Sequence, residues 1–359
     1  MGPEKYPLEE PSLHDKEFGV LELSLRDAEV AAIERIAAEV AHRYGDIESA
    51  EFHRDSRAIA EELPRRVREA LHRFRASESD STFVTSGLPV DDERVGPTPP
   101  EWRDNREPSR TLVYDVAFFL MAALLGDPIA WATQQDGRIM HDVFPLKAHE
   151  NEQIGWGSAQ LLTWHTEDAF HPLRTDYLGL MCLRNNEQVE TTVADVSDLD
   201  IDPHNREILS QKRFRFVPDN AHRPQNNGLV QTGQAAELLR RSQERVEKAM
   251  SDPEPEAVLF GGPELPYLRI DPEYMLVPED PEERKALDVI SSAIDVAMGG
   301  VVLQPGDIIF VDNYRAVHGR KPFKARFDGT DRWLRRLNVA RDLRKSRDCR
   351  LDAESRVIY

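Results

Sequence analysis

Two short segments of this 359-residue chain carry residues that could share one metal ion. The first, Trp164-His165-Thr166-Glu167-Asp168, closes a β-prone run that begins at Gln160. In an extended segment residues two apart point the same way, so an imidazole nitrogen of His165 and a carboxylate oxygen of Glu167 can reach one point. Alone, a His-x-Glu pair is more often solvated surface. The second segment is a turn and apolar strand, Gly306 to Asn313, followed by Ala316-Val317-His318-Gly319-Arg320. A histidine after a buried strand is commonly packed core. Joined to His165 and Glu167, however, His318 completes a facial set of two histidines and one carboxylate. That set leaves three sites of an iron ion open for a bidentate 2-oxo acid and O2.

Such a site also needs a cation nearby to hold a carboxylate. Eighteen residues after His318 stands Arg336, in the run Arg332-Trp333-Leu334-Arg335-Arg336-Leu337-Asn338-Val339. Strand alternation sends Arg332, Leu334 and Arg336 to one face and Trp333 and Arg335 to the other. An arginine facing a barrel interior requires an anion, either the distal carboxylate of 2-oxoglutarate or a carboxylate of the protein, and spacing leaves both open. Asp271 and Glu273, in Tyr267-Leu268-Arg269-Ile270-Asp271-Pro272-Glu273, could together hold a guanidinium by charge-assisted bonds; otherwise Asp-Pro-Glu after a strand is ordinary turn chemistry.

The elements that must position these residues are readable in outline. Apolar residues at helical spacing predict a helix over 24–44, with Ser24 as N-cap and Gly45 past its end. Further helices are expected at 58–76 and 111–125, the latter ending at Gly126. Between them lie a strand at 82–90 and a charged, proline-rich loop at 91–109. From there the chain turns to short β-prone runs at 128–134, 138–144, 161–165, 176–184, 266–270, 300–303, 307–312 and 333–340, a spacing that suggests a barrel or sandwich. Residues 186–258, polar and helix-prone around 233–250, read as an insertion or flap outside the barrel wall. The expectation is an α+β protein with one enlarged domain over 1–359 and residues 1–16 disordered.

Composition narrows the partners. With 46 Lys and Arg against 65 Asp and Glu, the formal net charge is −19, which argues against broad contact with nucleic acid or anionic membrane. The 40% hydrophobic content is enough for a folded core. Cys182 and Cys349 lie far apart and outside metal-ligand spacing, so neither a disulfide framework nor a structural zinc site is expected. Residues 1–16 have no apolar centre, and no apolar run approaches the length of a membrane span. A cytoplasmic location is the expectation.

At this point the segments carry a resemblance. The chain resembles the clavaminate synthase-like Fe(II)/2-oxoglutarate oxygenases and, within them, the arginine and enduracididine β-hydroxylases of peptide-antibiotic biosynthesis. The similarity runs from about residue 20 to 359. Its most specific stretches are Glu62-Leu63-Pro64-Arg65-Arg66, Trp131 to Gly137, Trp164 to Phe170, and Asn313 to Asp342. The resemblance implies a double-stranded β-helix (jelly-roll, cupin-like) core flanked by helices. It implies iron on His165, Glu167 and His318, with Arg336, and Arg332 beside it, binding 2-oxoglutarate. It places Gln134 and Glu167 at the amino-acid backbone and Asp271 at the guanidinium. Glu273 there replaces a second aspartate, and Gln153 and Asp219 complete the substrate residues. Gln153 and Gly155 depart from the viomycin-pathway pattern of leucine and serine, which favours an enduracididine-type substrate. The implied reaction is hydroxylation at C3 of free L-arginine or L-enduracididine, consuming O2 and 2-oxoglutarate. The rivals are C4–C5 desaturation, hydroxylation of lysine or citrulline and, from another class, a non-catalytic cupin-like binding protein.

Overall fold

The computed structural model describes residues 14–16, 20–104, 110–222 and 231–359. Among them a nine-stranded sheet and a four-stranded sheet enclose a mixed apolar layer, and helices cover the outside. In the larger sheet the central strands are Ile308–Asp312, Tyr177–Arg184 and Trp333–Ala340, all antiparallel to their neighbours here. The smaller sheet runs Gly299–Val301, Thr191–Asp195, Ala316–Arg320, Leu162–His165. Leu178, Leu180 and Leu334 from the first meet Val193, Val301 and Ala316 from the second, so the two sheets face each other.

The predicted helices form, with altered limits. Asp27–Tyr44 buries Ile33, Ile36, Ala37 and Val40, as the periodicity requires, and ends at Gly45 with φ 68°. Its N-cap is Arg26 rather than Ser24, and the Glu29 carboxylate accepts the Arg26 backbone N–H at 2.8 Å. Ser24 instead ends the strand Val20–Ser24, which pairs parallel with Thr82–Ser86. The helix expected at 58–76 is two helices, Ala50–Ala60 and Arg65–Ser77. Pro64 lacks an N–H and disfavours helical geometry at Leu63, so the pattern breaks there. Residues 1–13 of the stretch expected to be disordered lie outside the described residues, whereas His14–Lys16 pair with Val20–Glu22. Within the expected loop 91–109, Asp92–Val95 make one helical turn, and 105–109 lie outside the described residues.

One expectation is corrected. Residues 186–258 are not as a whole an insertion, because Thr191–Asp195 lies inside the smaller sheet between Gly299–Val301 and Ala316–Arg320. A five-residue strand with two threonines, embedded in polar sequence, has too little alternation to stand out. The rest of the stretch adds the helices Pro203–Leu209 and Gly233–Ser251; the first packs with Pro281–Ala297 outside the smaller sheet.

Helix Leu112–Leu125 is apolar on nearly every side because it is buried against the larger sheet. Its exception, Asp115, has a partner. Arg335, 1% exposed, gives Asp115 bonds of 2.7 and 3.0 Å and also binds Asp142. Arg335→Ala takes the guanidinium from Asp115 and one of two arginines from Asp142, which keeps Arg138 at 3.5 Å, and unfolding in denaturant should show a loss of roughly 3–5 kcal/mol. A loss under about 1 kcal/mol would mean that water or another cation compensates.

Candidate active site

His165 and His318 are directly opposed in neighbouring strands of the smaller sheet. The register shifts between His318 and Arg320, a bulge of the kind often found beside active sites. Gly319 permits it, since a Cβ there would lie 2.7 Å from the Leu162 carbonyl oxygen. Glu167 follows the strand Leu162–His165. Asn313 fixes its backbone, accepting the Glu167 N–H at 2.6 Å and donating to its carbonyl at 3.0 Å. The outcome is three converging donors: Glu167 Oε2 lies 3.9 Å from His165 Nε2 and 3.5 Å from His318 Nε2. All the candidate ligand atoms of the trio fall within 4.8 Å of one another.

This donor set fits iron. Nδ1 of His165 donates to the Thr163 carbonyl at 2.9 Å, which leaves the lone pair on Nε2, facing the centre. Burial opposes charge on Glu167, yet Arg336 and the two histidines hold its carboxyl well below the usual range. Burial and the neighbouring His165 push His318 down, towards the neutral form a ligand needs. For His165, burial acts the same way but is outweighed by Asp271 and Glu167, so its pKa is raised.

Around the trio lies a pocket of about 860 Å³ including its open mouth. Its charged walls fall into three groups. Arg332 lines one side, 4% exposed, and donates to Thr191 Oγ1 at 3.1 Å. Its neighbour Arg320 donates to the carbonyls of Gly157 and Gln160. No ion pair joins either guanidinium to a carboxylate among the described residues. Burial lowers Arg332 to about 10, and burial plus the charge of Arg332 lowers Arg320 to about 9.

Arg336 forms the second group. It donates to Glu167 Oε1 at 2.8 Å, to Gln134 Oε1 at 2.8 Å and to His141 Nδ1 at 2.9 Å. A protein carboxylate, one of the two kinds of partner left open by the sequence, is thus in contact with Arg336, and it belongs to the metal trio. Gln134 sits in an adjoining cavity with His141, Gly155 and Trp156. Its amide nitrogen lies 3.4 Å from Asp168, which also accepts from Trp131 Nε1 at 2.6 Å and pairs with His222 at 2.8 Å.

Acidic residues form the third group. Asp271 is 8% exposed, and burial with the charge of Asp219 raises it to about 7. Asp219 is likewise raised by burial. Glu273 is exposed at the rim and accepts from Thr163 Oγ1 at 3.0 Å. Gln153 lines the same pocket, with its amide tied to the Leu161 carbonyl and the Thr163 N–H. Sequence reasoning missed Thr191, Arg320, His141 and His222. Only Arg320 carried a signal, as a charged residue two positions beyond His318.

A family comparison matches residues 117–338 to the taurine catabolism dioxygenase TauD, TfdA family. The chain belongs to that family. It is 59% identical over 341 residues to enduracididine β-hydroxylase of Streptomyces hygroscopicus, covering 95% of this chain and 100% of that one. It is 45% identical to L-ornithine/L-arginine 3-hydroxylase of Catenulispora acidiphila, covering 94% and 99%. Among solved structures, the non-haem iron oxygenase OrfP with Fe, succinate and (3S)-hydroxy-L-Arg superposes with a TM-score of 0.88. It shares 40% identity and covers 94% of this chain and 99% of that one. No helix among the described residues is long and apolar enough to cross a membrane.

Proposed function

We propose that this chain is a 2-oxoglutarate-dependent iron dioxygenase that hydroxylates a free guanidino amino acid, L-arginine or L-enduracididine, at C3. The two facing sheets form its jelly-roll core, and the resemblance to peptide-antibiotic enzymes supports a role in specialised metabolism. Two buried free cysteines fit a reducing cytoplasm. The observation that carries the reading is the charge pattern around the metal trio. Two separate arginine anchors and one acidic anchor match a dianionic oxo acid together with an amino acid bearing a carboxylate and a side-chain cation.

His165, Glu167 and His318 would hold the iron, which when bound supplies O2 activation coupled to conversion of 2-oxoglutarate into succinate and CO2. The protein's own part is placement. Arg332, joined to the Thr191 hydroxyl and with no carboxylate partner among the described residues, is suited to the distal carboxylate of 2-oxoglutarate. Arg336, beside Glu167 and Gln134, is suited to the amino-acid carboxylate, and this reverses the assignment of Arg336 that the resemblance implied. Asp271, Asp219 and Glu273 are suited to the guanidinium. With both ends of the substrate fixed, a single stretch of side chain is presented to the iron. Desaturation would use the same anchors and is separated from hydroxylation by product mass.

The arginine roles are tested by lysine substitutions, which keep charge but lose the bidentate fork. Arg332→Lys should raise KM for 2-oxoglutarate about tenfold or more with little change for arginine, and Arg336→Lys should do the reverse. Interchanged effects would restore Arg336 to the co-substrate.

A further inference from the structure

A guanidinium is a flat fork of five N–H donors, so its rotation about the side-chain axis decides which way it can grip a carboxylate. For Arg336 the acceptors are Glu167, Gln134 and His141. The first belongs to the metal trio and the second to the proposed head-group site. His141 belongs to neither and lies directly opposite Arg336 on the adjacent strand of the larger sheet. It is 3% exposed. Because Arg336 offers only donors, the Nδ1 that lies 2.9 Å from Nη2 must present a lone pair, and the ring must be neutral with its proton on Nε2. Burial, then the charge of Arg336, holds the imidazole well below 6.5, in the direction of the neutral ring that the bond to Arg336 requires.

We propose that His141 is the positioning residue of the substrate-carboxylate anchor, a neutral acceptor that sets the plane of the Arg336 guanidinium. This rests on the reading of Arg336 as the head-group anchor. Three of its five N–H groups are given to Glu167, Gln134 and His141, so when an amino acid arrives Arg336 meets the carboxylate with a remaining N–H or by exchanging part of its hold on Glu167 or Gln134. Nη2 bonded to His141 keeps the fork in plane through that exchange. Lacking it, the guanidinium turns fully onto Glu167, and substrate must compete with a metal ligand for its own anchor.

Three variants test this. His141→Leu removes the acceptor, His141→Asn places an amide oxygen near the position of Nδ1, and His141→Gln reaches beyond it. Dissociation constants are measured by calorimetry under anaerobic conditions, with Fe(II) and 2-oxoglutarate present, so that no turnover intervenes. The Kd for L-arginine should rise about tenfold in His141→Leu and His141→Gln and stay within about twofold in His141→Asn. The Kd for 2-oxoglutarate should be unchanged throughout. If His141→Leu does not fold, the polar pair Asn and Gln carries the same comparison. Equal losses for arginine and 2-oxoglutarate, arginine affinity unchanged in the Gln variant, or no advantage of Asn over Gln would each overturn the proposal. Wild-type protein that binds no guanidino amino acid would overturn the functional reading and this proposal together.

Discussion

His318→Ala should abolish succinate formation and reduce bound iron to background while the fold survives. The side chain is one of three converging ligand donors, so its loss removes most of the metal affinity. It is buried, but it packs at the edge of an open pocket rather than in the apolar core. The stability loss should therefore stay near 1–2 kcal/mol, within the ordinary range for single substitutions. Iron content, the thermal midpoint and succinate release measured on one preparation separate a lost ligand from a lost fold. Turnover near wild type would remove iron from the account.

Asp271→Ala should weaken arginine binding by roughly 2–5 kcal/mol, the scale of breaking a desolvated charge pair. It should also uncouple the reaction, with 2-oxoglutarate still consumed while little amino acid is oxidised, because the loosened side chain no longer holds one C–H bond at the iron. The pH dependence has a definite sign. Burial and Asp219 raise Asp271 to about 7 in the free protein, so ionising it costs stability as pH rises from the ordinary carboxylate range through about 7. A guanidinium binds the ionised form. Arginine affinity in the metal-free protein should thus strengthen as pH climbs through about 7, and Asp271→Asn should flatten that dependence. A slope unchanged in Asp271→Asn would place the titrating group elsewhere, with Asp219 the next candidate.

The convergence of the trio was legible because most of it is local: Glu167 stands two residues past His165, just beyond the strand Leu162–His165, and only His318 had to come from afar. Alternation also sorted the arginines correctly, with Arg335 turned to Asp115 and Asp142 while Arg332 and Arg336 line the pocket. The division of labour proposed for them was not legible. It depends on which acceptors the fold brings to each guanidinium, Thr191 for one and Gln134 with Glu167 for the other, and those lie on strands and turns remote in sequence. The same holds for Thr191–Asp195, whose place in the smaller sheet is set by its neighbours rather than by its own pattern. Asp271 and Glu273 are two residues apart, yet one is buried and the other exposed, a distinction set by the depth of the pocket.

The central claim is tested most directly by incubating the protein with Fe(II), ascorbate, O2 and 2-oxoglutarate, together with free L-arginine, L-enduracididine, L-lysine or L-citrulline. Succinate and the mass of each amino acid are then measured together. The account predicts that arginine or enduracididine gains one oxygen atom, located at C3, with about one succinate formed per product, and that citrulline and lysine react far less. Loss of two hydrogens would make the enzyme a desaturase, preferential oxidation of lysine or citrulline would contradict the guanidinium site, and no substrate-linked succinate would contradict the function itself.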